Sequence, residues 1–386
     1  MRDRRAARLF AAICLACVLT PALYMLQKAL RTTAAPAVTT DAGLPPAPRK
    51  TTGPAGVPAP DPDPTRMPDG RSRTANPARD IPVAAGPPTK PAPAPDLGHP
   101  PFARLLYSNT VLGPDWGVLA VVRGSGTVEY QKALRCERVH FAGGTGVCLR
   151  ADRGFLTKYS AQIFDESLEV RHTIELLGGG SRVRVAPNGK RAAVTVFVSG
   201  HSYADSHFST ATTLIDTGTG ATIGNLEEFL TLRDGVPWRL EDFNFWGVTF
   251  AKDSNTYFVT LSSGGRTFLV RGNVDQRRME VVREGVECPS LSPDGARIAF
   301  KRVVERPYRH WIIAVLDLRT MQETLLTEKR NVDDQVDWLD DERILYGLPE
   351  TETSSSAVVN TWVVDYRGVD DPKLFLRNAA STVIVR

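Results

Sequence analysis

The chain has 386 residues and a nearly balanced charge, with 47 Lys and Arg against 43 Asp and Glu, giving a formal net charge of +4. No basic stripe matches a nucleic-acid backbone, so no DNA or RNA partner is expected. All six tryptophans lie at or after Trp116, which concentrates the residues able to form a core in positions 102–386.

The N-terminus resembles a membrane-directed segment. Four arginines within the first eight residues precede an uncharged run at 9–26. Eighteen helical residues span about 27 Å, enough to cross a bilayer, and the arginines hold the short side in the cytoplasm. We expect 1–30 to be a signal anchor, with 9–26 spanning the cell membrane once and the C-terminal domain outside. A cleaved signal peptide, which would give a secreted protein, is the alternative.

Residues 31–101 form the next segment. Positions 31–100 hold 18 of the 28 prolines and no Phe, Tyr or Trp. Such a composition cannot bury enough apolar surface to offset the entropy of ordering the chain. The segment is therefore predicted to be a disordered Pro/Ala-rich linker.

A short repeat dominates the remaining residues. At 289–300 two short strands flank a tight Pro-Asp-Gly turn, and the pattern recurs near 139, 183, 248 and 336. In each copy two apolar columns are separated by one polar or small residue, as in alternating strands. The columns are Val139, Val183, Val248, Pro289, Val336 and Phe141, Val185, Phe250, Leu291, Trp338.

A second hairpin follows each copy, usually where an apolar run reaches an Asp and turns. Two hairpins make a four-stranded unit, which can bury both of its faces only by radial stacking. Residues 103–134 supply three further strands, and 382–385 can supply the fourth. The sequence therefore predicts an all-β, six-bladed propeller over 102–386 in which the two ends of the domain share one blade.

Three cysteines lie in the predicted propeller: Cys136, Cys148 and Cys288. The hairpin register places Cys148 opposite residue 139 or 140. Along an extended strand this leaves roughly 10–13 Å to Cys136, too far for a disulfide. We expect small buried residues there, with a 136–148 bridge as the alternative.

The Ser-Pro-Asp-Gly hairpin at 292–295, with its downstream Leu-Asp turn at 316–317, resembles the TolB-like, WD40-like repeat propellers. The resemblance covers roughly 103–386 and extends to actinobacterial TolB-like proteins that carry a signal peptide. It implies the fold and little about activity. Periplasmic TolB also has a separate N-terminal α/β domain, for which the Pro-rich segment offers no room.

Loop lengths suggest a binding face. Turns within hairpins are tight, whereas connections between hairpins are long at 199–209, 302–310, 348–360 and about 225–242. In a four-stranded meander the long connections share one rim, and such loops commonly carry binding. Phe245, Trp246 and Trp311 are expected in the core. The predicted binding residues are His201, Tyr203, His207, Trp238, Tyr308 and Arg309.

Five carboxylates form a second candidate site. Aligning the repeats places Glu137, Glu287 and Asp334 at the start of innermost strands, with Asp242 and Asp333 just before such starts. They could ring the mouth of the axial channel and bind Ca²⁺ or a basic peptide. Alternatively, they accept backbone hydrogen bonds or pair with Arg138 and Arg182.

These features predict an extracytoplasmic, non-catalytic propeller that binds a protein, peptide or envelope component through its long-loop face. No catalytic residue and no cofactor is expected, apart from the Ca²⁺ considered for the channel. One alternative is a propeller hydrolase or lactonase-like metal enzyme, for which Ser202 in a serine-hydrolase-like Gly-His-Ser-Tyr-Ala stretch is the candidate nucleophile. Another is a structural cell-surface scaffold.

Overall fold

The computed structural model describes residues 104–386 except 125, 201–207, 306–309 and 352–356. The predicted anchor and linker lie outside the described residues. Within the described part of the chain, 26 strands and one 3₁₀ turn (Leu226–Glu228) are present. No helix in that part is long and apolar enough to cross a membrane.

The strands form six sheets, or blades, each built on antiparallel pairing around a common axis. From the axis outward, blade 1 consists of β26 (Ala379–Val385), β1 (Arg104–Asn109), β2 (Val118–Arg123) and β3 (Val128–Arg135). In the same direction, blade 2 consists of β4 (Arg138–Ala142), β5 (Thr145–Arg153), β6 (Thr157–Asp165) and β7 (Val170–Leu176). Blade 3 consists of β8 (Gly180–Val185), β9 (Arg191–Ser199), β10 (Ser209–Asp216) and β11 (Thr222–Asn225).

The remaining blades follow in chain order. Blade 4 consists of β14 (Asn244–Phe250), β15 (Thr256–Ser263), β16 (Arg266–Asn273) and β17 (Arg278–Glu284), extended outward by β12 (Leu230–Arg233) and β13 (Val236–Pro237). Blade 5 consists of β18 (Glu287–Leu291), β19 (Arg297–Val304), β20 (His310–Asp317) and β21 (Glu323–Leu325). Blade 6 consists of β22 (Asp337–Trp338), β23 (Arg343–Pro349), β24 (Val359–Asp365) and β25 (Lys373–Leu376).

The innermost strands close a ring. Around the axis, β26, β4, β8, β14, β18 and β22 each contact the next, and β22 contacts β26. The ring is closed by antiparallel pairing of β1 with β26, with Leu106 opposite Val383. The prediction of an all-β six-bladed propeller whose first blade takes its innermost strand from the end of the domain is confirmed.

Each interface between neighbouring blades has its own hydrophobic core. Between blades 2 and 3, for example, Val147 and Ile163 pack against Val183 and Val194, all of which are buried. Comparable clusters lie at the other five interfaces. Because both faces of a sheet are covered by its neighbours, the apolar columns of the repeat are buried around the whole ring.

The long connection between blades 3 and 4 differs from the predicted loop. Its residues form the 3₁₀ turn, then β12 and β13 at the outer edge of blade 4. β12 pairs in parallel with β17, with Leu230 opposite Arg278. The connection is long enough to run back along the outer edge of blade 4. By pairing with β17, it satisfies backbone N–H and C=O groups that an open sheet edge would leave unpaired.

The expectation that Cys136 and Cys148 are not bridged is wrong. The predicted register is correct, since Val139 lies opposite Cys148. However, Cys136 does not extend β4: its N–H donates to Gly117 O in blade 1 (2.8 Å), and the chain bends before Arg138. The bend brings the two Cα atoms within 5.1 Å of each other, and a disulfide joins the residues. Cys288 is free and buried.

Candidate functional site

The axial channel contains a cavity whose wall follows one column of the repeat. This column is the single residue between the two apolar columns. Because strand residues alternate, side chains at this position leave the cores between blades and reach the axis. A cavity of about 260 Å³ at the tight-turn end of the channel is lined by all five members: His140, Arg184, Thr249, Ser290 and Asp337.

The long-loop half of the channel is narrower, with a space of about 30 Å³. Gln335 spans it, since its Nε2 donates to Val248 O (3.0 Å) in blade 4 and to Pro289 O (3.1 Å) in blade 5. Arg138 and Arg182 line the same space. This half is therefore filled largely by polar side chains that tie the blades together.

Lys301 is the centre of a buried charge cluster beside this half. Its Nζ lies 2.7 Å from Asp333 Oδ1 and 3.9 Å from Glu287 Oε2. It also lies 4.3 Å from the centroid of the Trp311 ring, whose Nε1 donates to Glu287 (3.1 Å). Burial alone would lower the pKa of Lys301, but Asp333 raises it above its ordinary value. The lysine is therefore charged and satisfied within the fold.

Asp333 is shared by two cations. Besides Lys301, Arg182 Nη2 lies 3.2 Å from its Oδ1. Burial would raise the pKa of Asp333, but the charges of Lys301 and Arg182 outweigh burial and hold that pKa at about 2. Asp333 therefore connects blades 3, 5 and 6 through its two ion pairs. Because both cations neutralise it, it is a poor candidate for binding a further cation.

The other three predicted carboxylates lie apart. Glu137 forms an ion pair with Arg153. Asp242 caps the β15–β16 turn by accepting from Gly264 N (2.6 Å) and Ser263 Oγ (2.8 Å). The Gly264 N–H contributes most to the lowered pKa of Asp242.

Asp334 likewise serves the backbone, because it accepts from the N–H groups of Gln335 and Gly347, both at 2.9 Å. The five carboxylates thus do not converge on one point: only Glu287 and Asp333 share a partner, Lys301. Of the pairs named in the alternative, the structure contains Asp333 with Arg182, whereas Glu137 pairs with Arg153 and Glu287 lies beside Lys301.

Most of the predicted binding face falls outside the part of the chain that the structure describes. The residues concerned are His201, Tyr203, His207, Tyr308 and Arg309, together with Ser202.

Trp238 is described and half-buried. Its ring packs edge-on against Phe243 (4.9 Å between centroids) and Phe268 (5.3 Å), with the Arg233 guanidinium 5.1 Å from its centroid. Part of this ring therefore supports the edge of blade 4.

The three aromatic residues expected in the core are confirmed as buried: Phe245, Trp246 and Trp311 are 0%, 1% and 6% exposed. Trp246 and Trp311 belong to a small cluster with the free Cys288. Among the described residues, no group of three or more His, Cys, Asp or Glu side chains is arranged to hold a metal ion.

Sequence reasoning missed His140, Arg184 and Asp337, although the signal was present. The alignment that yielded the two apolar columns also aligns the residue between them. That residue is His, Arg, Thr, Ser and Asp in the five copies. Three of these side chains are titratable. Because the innermost strands surround the axis, residues at the same position of these strands are expected to lie near one another there.

Comparison with known proteins supports the fold. No family model matches the chain. No curated protein matches it. Among solved structures, TolB from Acinetobacter baumannii is similar, with a TM-score of 0.52 and 14% identity over 74% of this chain and 67% of that chain. The fold is thus a TolB-like six-bladed propeller.

Two further solved structures align with lower scores. One is a puromycin-hydrolysing peptidase from Mycobacterium tuberculosis, with a TM-score of 0.44 and 10% identity over 72% of this chain and 44% of that chain. The other belongs to a nidogen/laminin complex, with a TM-score of 0.47 and 9% identity over 73% of this chain and 97% of that chain. At these scores and identities neither likeness carries an argument about this chain.

Proposed function

We propose that the propeller is a non-catalytic recognition module that binds a protein partner through its long-loop rim. The observation that carries the proposal is the distribution of exposed apolar side chains. Connections from the second to the third strand of a blade, and from one blade to the next, share this rim. Of the twelve large hydrophobic residues exposed in the described part of the chain, six lie on this rim: Leu112, Phe155, Leu156, Leu177, Val198 and Leu240.

Two of these hydrophobic side chains are almost completely exposed to solvent. Phe155 and Leu177 are 103% and 92% exposed. They lie in the short β5–β6 and β7–β8 connections of blade 2. Neighbouring blades contribute Leu112 and Val198 to the same rim. A rim with apolar side chains on successive blades is suited to a protein partner, because burial of those side chains would drive association.

Charged and aromatic groups on the same rim add directional contacts. Arg153 pairs with Glu137 and lies 5.8 Å from the centroid of the Trp116 ring. Arginine and tryptophan are enriched where interfaces are strongest. In this proposal residues 9–26 anchor the chain in the membrane and residues 31–101 hold the propeller away from it, so the partner is extracytoplasmic.

Site-specific photo-crosslinking on the full-length chain in its native membranes tests the proposal. A photoreactive residue replaces Leu156 in one variant and Val369 in the control. The two positions are matched in exposure, at 73% and 72%, but Val369 lies in the β24–β25 connection on the opposite rim. We expect discrete protein adducts from position 156 and none from position 369.

A second substitution makes the result specific. Phe155→Ser removes a fully exposed ring, so folding should be unaffected, yet the adducts from position 156 should weaken several-fold. Equal adducts from both rims, or adducts that survive Phe155→Ser unchanged, would contradict the proposal. Absence of adducts from position 156 would also contradict the proposal and would favour a scaffold without a specific ligand.

A further inference from the structure

The cavity at the tight-turn end of the axis is built by all six blades. It is distinct from the long-loop rim and lies at the opposite end of the channel. Its volume of about 260 Å³ is slightly below the roughly 300–1,000 Å³ of pockets for drug-sized ligands. A small ligand, or one or two residues of a peptide, would fill it.

The charged side chains around this cavity are mostly cationic. Arg184, Lys252 and Arg386 line it, whereas Asp337 is the carboxylate in its wall. Asp337 is already engaged: its Oδ1 lies 3.2 Å from Arg184 Nη1 and accepts from Trp338 N (2.8 Å). The lining side chains therefore carry a positive excess over the one carboxylate among them.

His140 adds no charge of its own. Its Nδ1 accepts a hydrogen bond from Val185 N (3.1 Å), which leaves the ring proton on Nε2. Burial lowers the pKa of His140 well below its ordinary value, and the charges of Arg184 and Arg386 lower it further. The neutral Nε2–H lies 3.7 Å from Asp337 Oδ2.

Arg184 is held in place but not fully satisfied. Its Nη2 donates to Val336 O (3.0 Å), and Nη1 faces Asp337. Its Nε is buried without a hydrogen-bond partner among the described residues. The side chain is only 8% exposed. Because Asp337 offsets the charge of Arg184, the positive excess of the lining comes from Lys252 and Arg386.

Much of the remaining wall is apolar, although Thr249, Ser290 and Ser292 also line it. Aromatic and aliphatic side chains from several blades face the same space. They are Phe141, Phe250, Leu291, Trp338 and Ile384. A ligand that suits both parts of the wall has an anionic group beside the cationic side chains and a small apolar body against the rings.

We propose that this cavity binds a carboxylate carried on a small apolar group. Two sources share that chemistry: a free small organic acid, and the terminal residue of a peptide with a free carboxyl end. The proposal does not depend on the long-loop rim, and either site can fail without the other.

Calorimetry on the full-length chain in detergent tests this. The probes are N-acetyl-leucine, the peptide acetyl-Ala-Ala-Leu with a free carboxylate, the same peptide as an amide, and inorganic phosphate. We expect the free acid peptide to bind with a Kd of about 0.1–1 mM and its amide at least about tenfold more weakly. Equal binding of N-acetyl-leucine indicates a free acid as the source; binding of the peptide acid alone indicates a peptide terminus.

Matched lysine variants localise the binding. Lys252→Gln removes a cation of the cavity, whereas Lys190→Gln removes an exposed lysine from the equivalent turn of blade 3. We expect the first to weaken binding of the acid about three- to tenfold and the second to leave it unchanged. The proposal is overturned by no binding up to about 10 mM, by equal binding of amide or phosphate, or by equal effects of both variants.

Discussion

At the scale of single residues, burial and pairing decide which charges can act. Lys301 is fully buried, and the half-buried Asp333 neutralises it at 2.7 Å. Arg184 is equally enclosed but retains an unused donor beside a cavity. Residue type alone does not distinguish these cases, because the difference lies in which carboxylates the fold brings within reach of each cation.

Glu227 provides a residue-scale prediction of pH dependence. Its Oε1 accepts from Thr212 N (3.0 Å), but its Oε2 is buried without a partner among the described residues. Burial raises the pKa of Glu227 from 4.5 to about 7. The folded state therefore binds the proton more tightly than the unfolded state, so stability present below pH 4.5 is lost as the pH rises through about 7.

Glu227→Gln should remove this loss, since the neutral amide has no charge to desolvate. Relative to the unaltered protein, we expect its free energy of unfolding to improve by about 2–3 kcal/mol between about pH 5 and pH 8. Urea unfolding at both pH values measures this. Glu228→Gln, at an exposed neighbour, is the control and should show little change. Parallel behaviour of both variants would refute the assignment.

At the scale of elements, adjacent tight turns pack against each other. Gly189 has a positive φ of 72°, and a Cβ there would lie 2.3 Å from Gly143 O in the neighbouring blade. Gly295 occupies the equivalent turn of blade 5 with a φ of 78°, but a Cβ there would meet nothing within 4 Å. The same turn residue thus has two roles, one conformational and one steric.

Alanine at the two positions separates these roles. Gly295→Ala should cost about 1–2 kcal/mol, which is the cost of a left-handed conformation. Gly189→Ala should cost about 2 kcal/mol more, because rigid backbone must move. Denaturant midpoints and slopes measured for both variants give the comparison. Similar losses of unfolding free energy in both variants would show that the close contact between Gly189 and Gly143 does not contribute to stability.

At the scale of the whole molecule, one strand pairing closes the ring. β26 is the innermost strand of blade 1 although it is the last strand of the chain. Val383 is 2% exposed and pairs opposite Leu106. Loss of this pairing would leave blade 1 without its innermost strand and would expose the cores on either side.

Val383→Pro should therefore destabilise the propeller by about 3 kcal/mol or more and broaden its thermal unfolding transition. Lys373→Pro is the control. It changes the first residue of β25, an outermost strand where proline is tolerated. Circular dichroism melts of both variants test the prediction, and equal melting temperatures would contradict a closing role for β26.

The blade count, the shared first blade and the buried aromatic residues were predictable, because alternation and turn residues are local signals that recur. The disulfide was not. Strand register was predicted correctly, but the bend at Cys136 depends on a hydrogen bond to Gly117 in another blade. Likewise, the repeat placed Glu137, Glu287 and Asp334 in one column at the start of innermost strands, with Asp242 and Asp333 just before such starts, but it did not indicate their partners. Glu137 pairs with Arg153 of its own blade, whereas Asp333 pairs with Arg182 of another.

The sequence by itself determined the repeated hairpin, the number of blades and the rim that carries long connections. Each of these follows from residues close together in the chain. Only the tertiary structure decided which charges neutralise each other and which remain beside a cavity. Arg184 and Asp337 are separated by about half of the folded chain and meet only because innermost strands converge on one axis. Convergence of distant strands is set by packing of whole blades, and no local pattern encodes the resulting distances.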